Sequence, residues 1–259
     1  MGKIDLEYAK KNFRDYLKAY DQQDEKIRLK RIHTFCVVDA AGYICRREGF
    51  SQEDTSLALL IALLHDIGRF EQLKKYNSYD DNIMNHADFG VQVLFEEGMI
   101  RRFIETEEYD EIIRSAIAYH SLYALPEIAD KRILLHCQII RDADKLDNFR
   151  VKATESLEAH FDVSKEVVEQ EIVSENILEA VRAHRCILRE ERTTHLDMWI
   201  SYLAFLFDLN FPSSFCFIKE HDYINHNIDR MEYAQQETRV RMEEIRKLCL
   251  DYLEEKSRA

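Results

Sequence analysis

Six side chains carry the chemistry this sequence suggests: His33, the adjacent pair His65 and Asp66, then His86, His120 and Asp144. Imidazole and carboxylate donors without a thiolate suit a first-row metal such as Fe, Mn, Co, Ni or Zn, and argue against a structural thiolate site. Any one His on an apolar stripe reads most simply as a satisfied core histidine. Four inward His and two inward Asp on consecutive helices read differently. An ionised buried carboxylate costs several kcal/mol, and a shared cation offsets the desolvation of the whole set.

The elements that must position these residues read as helices. Apolar spacing predicts helices over about 5–20, 25–47, 85–97, 107–121 and 130–149. His33 shares a stripe with Leu29, Val37 and Ala40, and His120 with Ile113, Ala116 and Ile117. Asp144 shares a face with Cys137 and Ile140. Ser51 and Asp54 resemble a capping box ahead of TSLALLIALLHDIG, which is apolar all round and so predicts a fully buried helix ending at His65-Asp66. Gly68 is placed to stop that helix. Gly90, four residues after His86, would allow a close approach. Residues 71–84, with Lys74, Lys75, Tyr76, Tyr79, Asp80 and Asp81, read as a polar loop that covers the site or merely connects. From 154 onward the pattern is again helical, interrupted at 209–214, with a long charged helix from about 229. The expectation is one all-α domain over 1–259, with a metal-binding core at about 25–150 and a helical extension at about 151–259.

Composition narrows the function classes. Gly occurs 6 times and Pro twice, as expected for helices joined by short polar loops. The net charge of -13, with no long Lys/Arg run, argues against a nucleic-acid polymer as partner. A small anion remains compatible, because a bound cation reverses the local field. None of the 6 Cys forms a C-x-x-C pair, so buried free thiols are expected. The N-terminus has no apolar h-region, and the longest apolar run, Leu57 to Leu64, is too short to span a bilayer. A reducing cytoplasm and no membrane partner are expected.

The order His33…His65-Asp66…Asp144, with the strings RIHTFCVVDAAGYI, ALLHDIGRFEQ, NHADFGVQVL, AIAYHSLY and RDADKLDNF, resembles the HD-domain superfamily of metal-dependent phosphohydrolases over about 28–150. The resemblance implies an HD-like helical bundle with additional C-terminal helices. It also implies that His33, His65, Asp66 and Asp144 hold one metal. His86 and His120 match two further His of the dinuclear branches, where Asp66 would bridge both ions. Asp142 rivals Asp144, which is preferred for its place in an A-D-x-L pattern. The chain lacks the His-His-Glu and Gly-Tyr-Pro signature of the cyclic-di-nucleotide branch, so that activity is not expected.

The implied reaction is hydrolysis of a nucleotide or another small phosphate ester by metal-activated hydroxide, the pKa of bound water falling from about 15.7 toward about 7. Asp66 and Arg69 are the expected catalytic residues. Arg69 would clamp phosphate with its planar fork, or else serve a salt bridge to Glu71 or a helix C-cap. Lys145 would face the phosphate or simply be solvated. Two other readings stay open: a mixed-valent di-iron oxygenase built on the same ligands, and a non-enzymatic, metal-stabilised ligand-sensing module. His136, His160, His184, His195, His221 and His226 show no ordered pattern. Trp199, Tyr202, Phe205, Leu206 and Phe207 read as core.

Overall fold

The computed structural model describes residues 4–157, 161 and 163–258, so His160 lies outside the described residues. Among the described residues the fold is all-α, with no strand. No helix among them is long and apolar enough to cross a membrane. The chain divides into two compact units, Met1–Asp144 and Lys145–Ala259.

The first unit contains α1 (Leu6–Leu17), α2 (Glu25–Glu48), α3 (Gln52–Leu64), α4 (Ile67–Tyr76), α5 (His86–Val91) and α6 (Asp110–Tyr119). It ends within α7 (Lys131–Thr154). Local chemistry sets these boundaries. The Asp24 carboxylate accepts from the Lys26 and Ile27 amides to start α2, and Gly49 stops it in the left-handed region at φ 69°. Ser51 accepts from the Asp54 amide to start α3, as its capping signature predicts. Asn85 accepts from the Ala87 and Asp88 amides to start α5.

Helix α3 is the central strut: Leu57, Ala58 and Leu60 to Leu64 are all buried. An aromatic cluster of Phe13, Tyr16, Tyr20 and Phe70 joins α1 to α4, with ring centroids 5.2–6.4 Å apart. From it the Tyr16 hydroxyl donates to the Ile67 carbonyl at 3.0 Å, pinning the start of α4.

Three expectations change here. Residues 71–76 are helical rather than loop, because Phe70, Gln72 and Leu73 are buried while Lys74, Lys75 and Tyr76 face solvent. Gly68 does not stop a helix. It lies inside α4, and a Cβ there would stand 2.3 Å from the His86 carbonyl oxygen and 2.6 Å from the Gly90 amide nitrogen. A Cβ at Gly90 would meet its nearest neighbour at an ordinary 3.5 Å. The close approach of α4 and α5 is therefore set by Gly68, not Gly90.

The second unit carries the rest of α7, then α8 (Lys165–Glu169), α9 (Glu175–Arg182), α10 (His195–Leu203), α11 (Pro212–Glu220), α12 (Tyr223–Ile228) and α13 (Gln236–Lys256). Pro212 opens α11, so the interruption covers 209–211 rather than 209–214. Its core includes Trp199, whose indole N–H donates to the Asn227 carbonyl at 3.1 Å. All 6 Cys are free thiols, with Cys45, Cys137 and Cys249 buried.

Candidate metal centre

The centre is built at the corner where α3 gives way to α4. His65 keeps helical dihedrals as the residue that caps the C-terminus of α3, whereas Asp66 turns to φ -103°, ψ 17° before α4 begins. This corner aims two consecutive side chains into one volume, which neither a continuous helix nor a strand would do. His33 arrives from α2, His86 from the first turn of α5, His120 from the end of α6 and Asp144 from α7. His33, His65, Asp66, His86 and His120 are all buried. The Asp144 side chain retains 22% exposure.

The four imidazoles stand in file. Ring centroids lie 5.4 Å apart for His33 and His65, 5.3 Å for His65 and His120, and 5.0 Å for His120 and His86. Asp66 divides its oxygens between the two ends. Its Oδ2 lies 3.6 Å from Nε2 of both His33 and His65. Its Oδ1 lies 3.2 Å from Nε2 of His86 and 3.9 Å from Nε2 of His120. Asp144 Oδ1 stands 3.1 Å from His33 Nε2.

Hydrogen bonding fixes which nitrogens face inward. His65 Nδ1 donates to the Ala62 carbonyl and His120 Nδ1 to the Ile117 carbonyl, each at 2.7 Å. His86 Nδ1 donates to Asp81 Oδ1 at 2.6 Å. Each of these rings, when neutral, then presents an unprotonated Nε2 to the centre. His65 Nε2 is buried with no hydrogen-bond partner. The Nε2 atoms of His86 and His120 face each other at 3.0 Å, two lone pairs with nothing to share unless a proton or cation sits with them.

Electrostatics point the same way. Burial holds His65 below its ordinary value. Burial, with the neighbouring His86 and His65, lowers His120 to about 3. Burial alone would raise the Asp66 carboxyl, but Lys30, His65, His86 and Arg69 hold it well below the usual carboxylate range. Asp144 is likewise held low against burial by His33, His65 and His120. Neutral imidazoles facing ionised carboxylates are the protonation states a transition metal requires. The donor set therefore fits a metal. Two groupings have ligand atoms close enough to hold an ion, His33 with His65 and Asp144, and His65 with Asp66 and His120. Neither includes Asp142, which is buried elsewhere on α7.

Arg69 and Lys145 sit among other partners. Arg69 Nη1 donates to Gln72 Oε1 at 2.5 Å, Asp81 Oδ1 at 2.9 Å and the Tyr79 carbonyl at 3.2 Å. Its fork thus serves Asp81 rather than Glu71 or a helix end. The Lys145 ammonium lies 2.8 Å from Asp208.

Sequence reasoning missed Lys30, whose ammonium lies 2.6 Å from Asp66 Oδ2. The one signal for it is position, three residues before His33 on the same helix face. It also missed Arg141, whose guanidinium donates to the carbonyls of Tyr119, His120, Leu122 and Tyr123 and so closes α6 just beyond His120.

A buried His/Asp cluster gathered by an all-α bundle defines a helical domain whose side chains could hold a metal. Residues 31–149 match the HD domain family model, so this segment of the chain is an HD domain, a family whose members are generally metal-dependent phosphohydrolases. No curated protein and no solved structure matches the chain.

Proposed function

We propose that this protein is a metal-dependent phosphohydrolase acting on a nucleotide or another small phosphate ester, through two ions bridged by Asp66. The observation that carries this reading is the split of the Asp66 carboxylate, one oxygen toward His33 and His65, the other toward His86 and His120. His33, His65 and Asp144 would hold one ion, and His86 and His120 the other. When bound, the ions supply activation of water and neutralisation of phosphoryl charge.

The protein's own groups do the rest. The Nδ1–H donations of His65, His86 and His120 keep their Nε2 lone pairs aimed inward and resist rotation of the rings. Burial keeps His65 and His120 unprotonated near neutral pH. Lys30, one-fifth exposed beside Asp66, is the cation placed to meet a phosphoryl oxygen once Asp66 is neutralised otherwise.

Metal analysis of protein purified without added metal, followed by a phosphate-ester panel on the loaded protein, tests the reading. Release of phosphate or nucleoside is expected, with loss on His65→Ala. Asp66→Ala should empty the centre more completely than His86→Ala, and equal metal retention in the two variants contradicts a bridge. Silence across the panel at full occupancy refutes the hydrolase. Iron with a mixed-valent EPR signal and substrate-dependent oxygen uptake would transfer the site to the oxygenase reading.

A further inference from the structure

His65 and His120 are oriented by their own helices, because each ends a helix and finds the carbonyl three residues back. His86 has no such support. It is the first residue of α5, so no helical turn precedes it. Its Nδ1 is held instead by Asp81, which comes from the segment between α4 and α5.

Asp81 is itself held from α4. Arg69 Nη1 lies 2.9 Å from Asp81 Oδ1 and Nη2 3.4 Å from Oδ2. The Asp81 side chain is 40% exposed, so without Arg69 its carboxylate would be free to turn to solvent. Gln72, fully buried, donates to the carbonyls of Asp80 at 3.1 Å and Met84 at 2.7 Å, fixing the backbone on both sides of Asp81. Arg69 also keeps its Nε 3.8 Å from Asp66 Oδ1. A chain of contacts thus runs from Arg69 through Asp81 to His86, and His86 Nε2 faces the same Asp66 oxygen.

We propose that Asp81, clamped by Arg69, is the positioning residue for the half of the centre formed by His86, His120 and Asp66 Oδ1, and that this half depends on it while the half formed by His33, His65 and Asp144 does not. The inference rests on the two-ion reading. A carboxylate on the far nitrogen of a ligating imidazole fixes its tautomer and raises its basicity, and removing such a partner costs about 10- to 100-fold in metal affinity. Asparagine at position 81 keeps the shape but not the charge.

The test uses the full chain and Mn2+, with stoichiometry by equilibrium dialysis and EPR to distinguish a coupled pair from an isolated ion. Wild type should bind two ions with a coupled signal. Asp81→Asn should weaken one ion about 10- to 100-fold, replace the coupled signal by an isolated one, and leave the affinity of the remaining ion unchanged. That unchanged affinity also reports an intact fold. Arg69→Lys keeps the charge but not the fork, and should give a smaller loss at the same ion than Arg69→Met. Two ions at wild-type affinity in Asp81→Asn would overturn the inference while leaving the two-ion reading standing. Equal weakening of both ions would overturn it as well. A single ion in wild type would overturn the two-ion reading and the inference with it.

Discussion

Asp66 is 2% exposed, and stays ionised because Lys30 reaches it across 36 positions of sequence at 2.6 Å. In the metal-free protein Lys30 is the nearest full cation. Removing one partner of a buried pair leaves an uncompensated charge, costing about 3 kcal/mol. Lys30→Met should therefore destabilise chelated protein by about that amount in denaturant melts and tighten metal binding in a competition titration, since the internal competitor is gone. Weaker metal binding in that variant would show that Lys30 does not stand in for the ion. His136 supports a second prediction at this scale. Burial lowers it to about 4, with Nε2 3.4 Å from Asp54. The unfolded chain takes up this proton near an ordinary pKa of about 6.5, the folded chain only near 4. Stability should therefore fall as pH drops from about 6.5 to about 4, by up to about 3 kcal/mol from this group, and stay flat above that window. His65 and His120 act in the same direction, so the difference between wild type and His136→Leu isolates His136. Melts of chelated protein at pH 7 and pH 4.5 should show the smaller drop in the variant.

At the scale of elements, the close approach of α4 and α5 places His86. A methyl at Gly68 would collide with backbone atoms of His86 and Gly90, which cannot swing aside as a flexible side chain can. Gly68→Ala should cost about 1–3 kcal/mol as an overpacked contact and displace His86, lowering metal content more than fold stability alone explains. Gly90→Ala should be tolerated, with near-wild-type melting and metal content. If both variants bind metal equally, the spacing of α4 and α5 does not govern the centre. The α3–α4 corner has a comparable role. Tyr16 and the Phe13, Tyr20 and Phe70 rings brace α4 against α1.

For the whole molecule, the centre links segments that are otherwise distant in sequence. Any ion that binds the folded state alone stabilises it by RT ln(1 + [L]/Kd), about 2.7 kcal/mol at one hundred times Kd. Loading with metal should raise the melting temperature. It should also slow amide exchange around 30–37, 62–70, 84–90, 116–122 and 140–144 together, because each of these segments carries a side chain that reaches the centre. Protection confined to one or two of them would mean that the ion does not join the set.

Much of this was legible in the chain. The order His33…His65-Asp66…His86…His120…Asp144 was readable because each ligand sits on a strongly periodic or wholly apolar stretch, and helical periodicity is a local property. The buried α3, the Ser51 cap and the all-α class rest on the same local signals. Residues 71–76 were misread because EQLKKY is mostly polar, and its helix forms only when Phe70, Gln72 and Leu73 find a surface to cover. Gly68 was misread as a stop because the atoms that forbid its side chain belong to residues 86 and 90. Which side chains were candidates for the centre was thus legible in the sequence alone, since residue type and helical face are written locally. Tertiary structure alone decided how Asp66 divides its oxygens, that Lys30 neutralises it, and that Arg69 grips Asp81 instead of pointing into open space. Each of those depends on distances between residues far apart in the chain, and only the packing of helices sets them.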